Sequence, residues 1–417
     1  VIQLKKAPLT ALLAANAISM VGNVLALIAI PWFVLQTTGS PAKTGLTGFF
    51  MTLAAVVATF FGGVIVDRLG FKRTSILADI TSGGAFALIP LLYAVGWLQL
   101  WHLLTLVFAG NFLDAPGTTA REALIPELAE SAGMGLERAS ALVQAVERGS
   151  RMVGALLAGA LIAYIGTKNV IWIDAISFAI SGLIVWICVP ALRIHIQPIS
   201  EERRYLADVR EGIEFILHDR LLLAMVLIVV VTNFIDTPLL GVVYPVYFQR
   251  IFGSAVGLGM VVSASGAGAL ITALVFGAIG HRLSRRTVFL GGFLLTTLRF
   301  FVFALVPPLW ALVTIALIAG LGSGPINPII STISYERIPV NYRGRVLGTM
   351  TAIAYIAMPL GTVLAGFALE WVGIRPLLLS LGVLYLVTIM VAMISPALRH
   401  MNLPKPCAVE VNTTADS

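Results

Sequence analysis

"GGVIVDRLGFKRT" runs from Gly62 to Thr74, and "FGAIGHRLSRRT" runs from Phe276 to Thr287. Each closes a long apolar run with Gly-x-x-x-(Asp/His)-Arg-Leu-(Gly/Ser) and then a basic cluster, so the second reads as a worn copy of the first. A short element used twice at such a distance marks an internal duplication. Where the two copies fall along the chain decides the fold.

The chain they sit in is 417 residues long, 59% hydrophobic and 11% charged, with a mean hydropathy of +0.97. A soluble domain carries about 25% charged residues, so no stretch here is polar enough to form one. Two cysteines, Cys188 in an apolar run and Cys407 in the tail, make neither a disulfide framework nor a metal site. No cleavable signal peptide is expected, because the first apolar run is too long and leads directly into more like it. The composition is that of a polytopic membrane protein.

Asp, Glu, Lys and Arg are missing from 7–42, 44–66, 80–113, 152–167, 175–192, 251–281, 300–335, 346–369 and 376–398. Crossing the hydrocarbon core takes about 20 apolar residues, so 80–113 and 300–335 each hold two crossings. The first breaks at "AVGWLQLWH" (94–102) and the second at Pro307-Pro308. Twelve helices follow: 10–36, 44–66, 74–96, 101–119, 138–164, 169–191, 221–248, 255–280, 287–306, 309–331, 346–369 and 375–396, numbered 1 to 12 below. The long polar stretch, 193–219, divides them six and six. The expected organisation is an N-terminal half over 1–192, a cytoplasmic linker over 193–219, a C-terminal half over 220–398 and a cytoplasmic tail over 399–417.

A net charge of +7 raises the question of nucleic acid, but the positions of the 27 Lys and Arg answer it. Most lie in the loops and chain ends on one side. Lys43, Lys168, Arg250 and Arg375 lie on the other, and Arg148, Arg151 and Arg299 fall within spans. That asymmetry places both termini in the cytoplasm. The positive charge is an orientation signal, and no nucleic-acid partner is expected.

With the spans numbered, the first motif copy joins helices 2 and 3, and the second joins helices 8 and 9, six helices later. Two repeated halves with a site between them is a transporter arrangement. Gly63 and Gly277 would allow close helix approach. Asp67, a carboxylate at the cytoplasmic end of helix 2, needs a helix N-terminus or an Arg as partner. Such a pairing would latch the inner gate in one state. The plainer alternative is a tight, positively charged inside loop.

"GGVIVDRLGFKR" resembles motif A of the major facilitator superfamily. Several stretches are similar to its drug:proton antiporter-3 branch, which includes macrolide-efflux proteins, the enterobactin exporter and Tap-like multidrug efflux pumps. They are "IPWFVLQTTGS" (30–40), "AREALIPELAE" (120–130), "IDAISFAISGL" (173–183), "VREGIEFILHD" (209–219) and "RIPVNYRGRVLGTM" (337–350). "GPINPI" (324–329) and "MPLGTVLAG" (358–366) look most like the Tap-like pumps. The resemblance implies a twelve-helix, all-α fold and proton-driven export of amphipathic compounds. It carries the gating motif over to Gly63, Asp67, Arg68, Gly70 and Lys72, with Phe71 where a basic residue is usual. The second copy lacks the acid, so His281 is expected to be no equivalent latch.

Two positions depart from the family pattern. Ala155, in "RMVGALLAG", stands where such antiporters often have proline, and Gly22-Asn23 stands where related pumps often have Gly-Asp. Asn cannot titrate, so a proton site at that position is excluded. Coupling must lie at other intramembrane ionisable groups, each costly unless paired or hydrated. The candidates are Asp236 in helix 7, Asp114 in helix 4, and Glu147 with Arg151 in helix 5. Asp114, Glu147 and Arg151 read equally well as a static ion-pair cluster between helices 4 and 5. Asp236 has no basic residue within a turn on its own helix and is expected to be unpaired, with Pro238 loosening the helix just beyond. Asp174, in helix 6, reads as structural.

Polar stripes mark the expected pore lining. Asn16, Ser19 and Asn23 share a face of helix 1, Asn111 and Asp114 a face of helix 4, and Ser323, Asn327 and Ser331 a face of helix 10. Asn233 lies in helix 7. These match helices 1, 4, 7 and 10, which line the cavity in the family it resembles. Met20, Trp32, Tyr244 and Tyr355 would add an adaptable apolar wall suited to loose specificity. Trp97, Trp101 and Trp310 belong to the interfacial belt.

The scattered histidines form no catalytic set, and no Walker motif is present. No cofactor, metal site or enzymatic activity is expected. The sequence points to a monomeric, proton-coupled antiporter of drugs or similar amphipathic molecules in a bacterial inner membrane. Two alternatives remain open: a dedicated siderophore or secondary-metabolite exporter, and a lipid translocator.

Overall fold

The computed structural model describes residues 6–190 and 205–402; the side chains at 59–64, 67, 137 and 205–208 lie outside the described residues. Within them the chain is helical, with no strands. The twelve expected spans appear as Ala7–Thr38, Pro41–Leu69, Phe71–Ala94, Leu100–Ala123, Leu136–Ile165, Thr167–Cys188, Arg220–Phe252, Ala255–Ile279, Arg285–Ala304, Leu309–Arg337, Val340–Val372 and Ile374–Ile394. Ten of the described helices are long and apolar enough to cross a membrane. The other two, helices 4 and 5, are 24 and 30 residues long. They carry more charge, which is where buried polar chemistry turns up below.

Local sequence sets many of the ends. The Ser40, Ser254 and Ser284 hydroxyls accept from the backbone N–H three residues on, opening helices 2, 8 and 9. Asp219 opens helix 7 by accepting from the Leu221 and Leu222 N–H groups at 2.9 and 3.1 Å. Two expected helices are irregular. Helix 7 passes into π-helical turns at Leu239–Val243 and Phe248–Phe252, the first directly after Pro238, which cannot donate to the ladder. Helix 10 is broken by Gly324-Pro325 into Leu309–Ser323 and Ile326–Arg337. Two short helices were not anticipated: Ile125–Ser131 after helix 4, and Tyr205–His218 before helix 7. The latter occupies part of the expected linker and packs on helix 11, with Arg345 donating to Glu211 at 2.6 Å.

The first six helices pack chiefly on one another, as do the last six. The halves meet through helix 2 against helix 11 and helix 5 against helix 8. An even number of crossings brings Lys6 and Asn402 to one face of the bundle, here called the terminal face. The halves clasp each other toward the opposite face. A Cβ added at Gly45 would lie 2.7 Å from the Gly366 Cα, and one at Gly159 would lie 2.6 Å from the Ala255 carbonyl oxygen. Ser40 donates to Glu370 at 2.7 Å, and Arg250 donates to the Gly39 carbonyl at 3.1 Å. Trp97, Trp101 and Trp310 are exposed, as an interfacial belt requires.

Candidate functional site between the two halves

A cavity of about 450 Å³ opens between the halves, lined by Arg151 of helix 5 and by helices 7, 10 and 11. Met225, Met350 and Met358 supply a soft apolar wall, and Asn233, Asn327 and Tyr355 supply polar atoms. Unbranched Met side chains repack easily around differently shaped ligands. The Asn233 amide donates to the Ala354 carbonyl at 3.0 Å, tying helix 7 to helix 11 across the cavity wall. The Arg151 side chain is 71% exposed and donates to Glu147 one turn earlier at 2.8 Å.

Asn233, Asn327 and Tyr355, three of the lining candidates, stand at this cavity, and Arg151, read from the sequence as a coupling or ion-pair residue, stands with them. The other expected lining residues do not. Asn16, Ser19, Trp32 and Tyr244 are buried in the packed interior. Met20, Asn23 and Asn111 are half-buried away from this cavity, and the Asn111 amide is used on the Val107 carbonyl of its own helix. Of the expected polar residues on helices 1 and 4, Asn23 instead meets a half-buried charge of the first half, Asp114.

Two fully buried charges of the same half are Asp79 on helix 3 and Arg121 on helix 4, paired at 2.8 Å with side chains 0% and 2% exposed. Ser181 of helix 6 donates to the other Asp79 oxygen at 2.9 Å. Arg121 also lies 3.7 Å from Asp114, and the Asn23 amide of helix 1 donates to Asp114 at 2.9 Å. The expected cluster of Asp114 with Glu147 and Arg151 is therefore corrected. Asp114 and Arg121 lie two turns apart on one face of helix 4, which points to helices 1 and 3. Glu147 and Arg151 satisfy each other along helix 5.

Asp236 needs a second correction. It is not unpaired: Arg299, from helix 9, forms an ion pair with it, and the Tyr385 hydroxyl of helix 12 lies 3.4 Å away. Tyr244 stacks on Phe303 close by, and the guanidinium of Arg299 lies over the Phe300 ring at 5.1 Å. Asp236 is 33% exposed and sits one turn beyond Asn233, which lines the cavity.

In the gating motif, Lys72 donates to the Trp186 and Val189 carbonyls at 2.9 and 2.5 Å, capping the end of helix 6. Gly70 makes the turn between helices 2 and 3 at φ 78°, and Arg68 is exposed. The side chains of Gly63 and Asp67 lie outside the described residues. In the second copy, a Cβ at Gly277 would meet nothing within 4 Å, so that glycine does not serve close helix approach. His281 is exposed and accepts from Arg282.

An all-helical bundle of two six-helix halves that meet around an internal cavity is the architecture of a membrane transporter. The sequence profile of the Major Facilitator Superfamily matches residues 12–238 and 226–406, and the chain belongs to that family. It is a membrane transporter of small molecules, not an enzyme. Among its relatives, it is 32% identical to the multidrug efflux pump Tap of Mycolicibacterium fortuitum, over 96% of this chain and 98% of that one. It is 31% identical to Tap of Mycobacterium tuberculosis (strain ATCC 25618 / H37Rv), over 95% and 96%. Macrolide efflux protein A of Streptococcus pyogenes is 22% identical over 93% and 95%. The fold is similar to the nucleoside transporter NupG, with a TM-score of 0.76 at 14% identity, covering 92% and 98% of the two chains. It is also similar to a bacterial homologue of the human lysosomal transporter Spinster in an inward-facing, unoccupied conformation, with a TM-score of 0.71 at 14% identity over 95% and 97%.

Proposed function

We propose that this chain exports drugs or similar amphipathic small molecules across a bacterial inner membrane in exchange for protons. The observation that carries the reading is the cavity between the halves: three methionines and a tyrosine give adaptable apolar contact, while two amides and Arg151 give a few polar anchors. The near full-length similarity to multidrug efflux pumps supports the substrate class. The excess of basic residues at the terminal face supports placing that face in the cytoplasm. With the opposite ends clasped at Gly45 and Gly366, the cavity would then receive substrate from inside.

Proton coupling is assigned to the Asp236–Arg299 pair. Protonating Asp236 removes its attraction for Arg299 and frees helix 7 from helix 9, so proton and substrate compete through one element. Asp114 is the second candidate. Its amide partner Asn23 gives it a link to helix 1 rather than to the cavity. Asp67, Arg68, Gly70 and Lys72 keep the gating role assigned by resemblance. The test is a drug-susceptibility panel in a pump-deficient bacterium expressing the chain, with and without an uncoupler. Resistance that the uncoupler abolishes supports the reading, and resistance that the uncoupler leaves intact refutes proton coupling.

A further inference from the structure

Asp174 on helix 6 is 0% exposed, and neither of its carboxyl oxygens meets a hydrogen-bond donor. Its wall on one side is helix 1 at Gly22. A Cβ added there would lie 2.8 Å from Asp174 Oδ1 and 2.0 Å from Ser177 Oγ, so the carboxyl packs directly against bare backbone. The Ser177 hydroxyl is already engaged, donating to the Asp174 backbone carbonyl at 2.7 Å. Ser19, one turn before Gly22 on helix 1, is also fully buried, and its hydroxyl has no partner.

The charges on the surrounding helices do not neutralise this carboxyl. Helix 1 has no Asp, Glu, Lys or Arg. Helix 3 presents Asp79, while its Lys72 is spent on the end of helix 6 and Arg73 stands with Lys72 in the first turn. Helix 4 presents Asp114 and Arg121, with Asp114 near enough to Asp174 for charge repulsion. Helix 5 carries Glu147, Arg148 and Arg151, the first and last paired with each other. Arg121 is already shared by Asp79 and Asp114. The one guanidinium of this core thus serves two carboxyl groups, and Asp174 meets no hydrogen-bond donor.

An ionised carboxylate held in apolar surroundings without a partner carries a large uncompensated desolvation cost. A neutral carboxylic acid carries a much smaller one. We propose that Asp174 is a proton-binding site of the first half, loaded while helix 1 packs on helix 6 at Gly22 and emptied when the two helices part. The step is simple dissociation: the O–H bond breaks, the electron pair stays on the carboxylate, and the proton passes to water admitted between the helices. The site lies in the opposite half from the Asp236–Arg299 pair. Its existence does not depend on the exporter reading, although its use in transport does.

Difference infrared spectroscopy on the purified full chain in lipid nanodiscs tests this at neutral pH, without any transport assay. The expected result is a protonated-carboxyl C=O band that shifts in D2O, is lost in Asp174→Asn and is kept in Asp236→Asn. Gly22→Ala should move the loss of that band to lower pH, because the added methyl separates the helices and admits water. An identical spectrum in wild type and Asp174→Asn overturns the proposal. Disappearance of the band on adding sodium at fixed pH also overturns it, in favour of a metal-cation site. If Asp174→Asn does not purify, Asp174→Glu must shift the band, and an unshifted band counts against the proposal. Whether the chain then moves drugs is read separately by the susceptibility panel, so either idea can fail alone.

Discussion

Asp236 on helix 7 and Arg299 on helix 9 form an ion pair at the edge of the interior, with the Tyr385 hydroxyl beside the carboxylate. Two helices of the second half are joined there by charges that a proton can uncouple. Asp236→Asn keeps the shape and removes the charge. Export should lose its dependence on the proton gradient, while substrate binding to purified protein changes less than threefold. Proton release on adding substrate, compared between wild type and variant across pH 6–8, checks this.

The same pair bears on stability. Arg299→Leu strands Asp236 and should lower stability by about 2 kcal/mol, below the about 3–5 kcal/mol of a fully buried pair because Asp236 is partly hydrated. Adding Asp236→Asn to Arg299→Leu should recover most of the loss. Thermal melts of the two single variants and the double variant in detergent measure the coupling.

The Asp79–Arg121 pair is fully buried and should behave more severely. Arg121→Met leaves Asp79 with only the Ser181 hydroxyl and should cost about 3–5 kcal/mol. Asp79→Leu and Asp114→Asn combined with Arg121→Met, which removes both carboxylates that Arg121 serves, should be much closer to wild type, as judged by yield and melting temperature. If the triple variant is as damaged as Arg121→Met alone, the network has a role beyond neutralising charge.

At the clasp, Gly45→Val forces a branched side chain into the backbone of helix 11 at Gly366. The halves should separate at the face opposite the termini. Spin-label distances between positions in the 39–40 and 373 loops should lengthen, and export should fall at least tenfold. Unchanged distances would show that the clasp tolerates side chains there.

Asp67→Asn should abolish most export while leaving insertion intact, and His281→Asn should be much milder. Equal loss at both positions would indicate symmetric structural roles for the two motif copies.

Charge-free runs marked eleven of the twelve helices, and the apolar stretch after the polar linker marked helix 7, because crossing a membrane leaves a compositional trace in one dimension. Pro238 marked the irregular turns of helix 7 for the same local reason, whereas the break of helix 10 at Gly324-Pro325 was not anticipated. Pairings were harder. Arg299 lies 63 residues from Asp236, and Arg121 lies 42 from Asp79, so no spacing rule links them. Helical periodicity placed Asn16, Ser19 and Asn23 on one face, but could not say whether that face met the cavity or the interior of its own half. A signal was available in Asp79: it is a lone acid between two serines, Ser75 and Ser82, in an otherwise apolar helix. A buried acid of that kind demands a buried base. The Arg in "AREALIP" was the nearest cation on a neighbouring span.

Proton-driven export is the central claim. Its most direct test is uptake of a fluorescent amphipathic drug into inside-out vesicles containing the chain, with a proton gradient imposed across the membrane. Uptake should follow the gradient and collapse on adding an uncoupler, and in Asp236→Asn it should no longer respond to the gradient. Uptake that continues at the same rate with the gradient collapsed would contradict it.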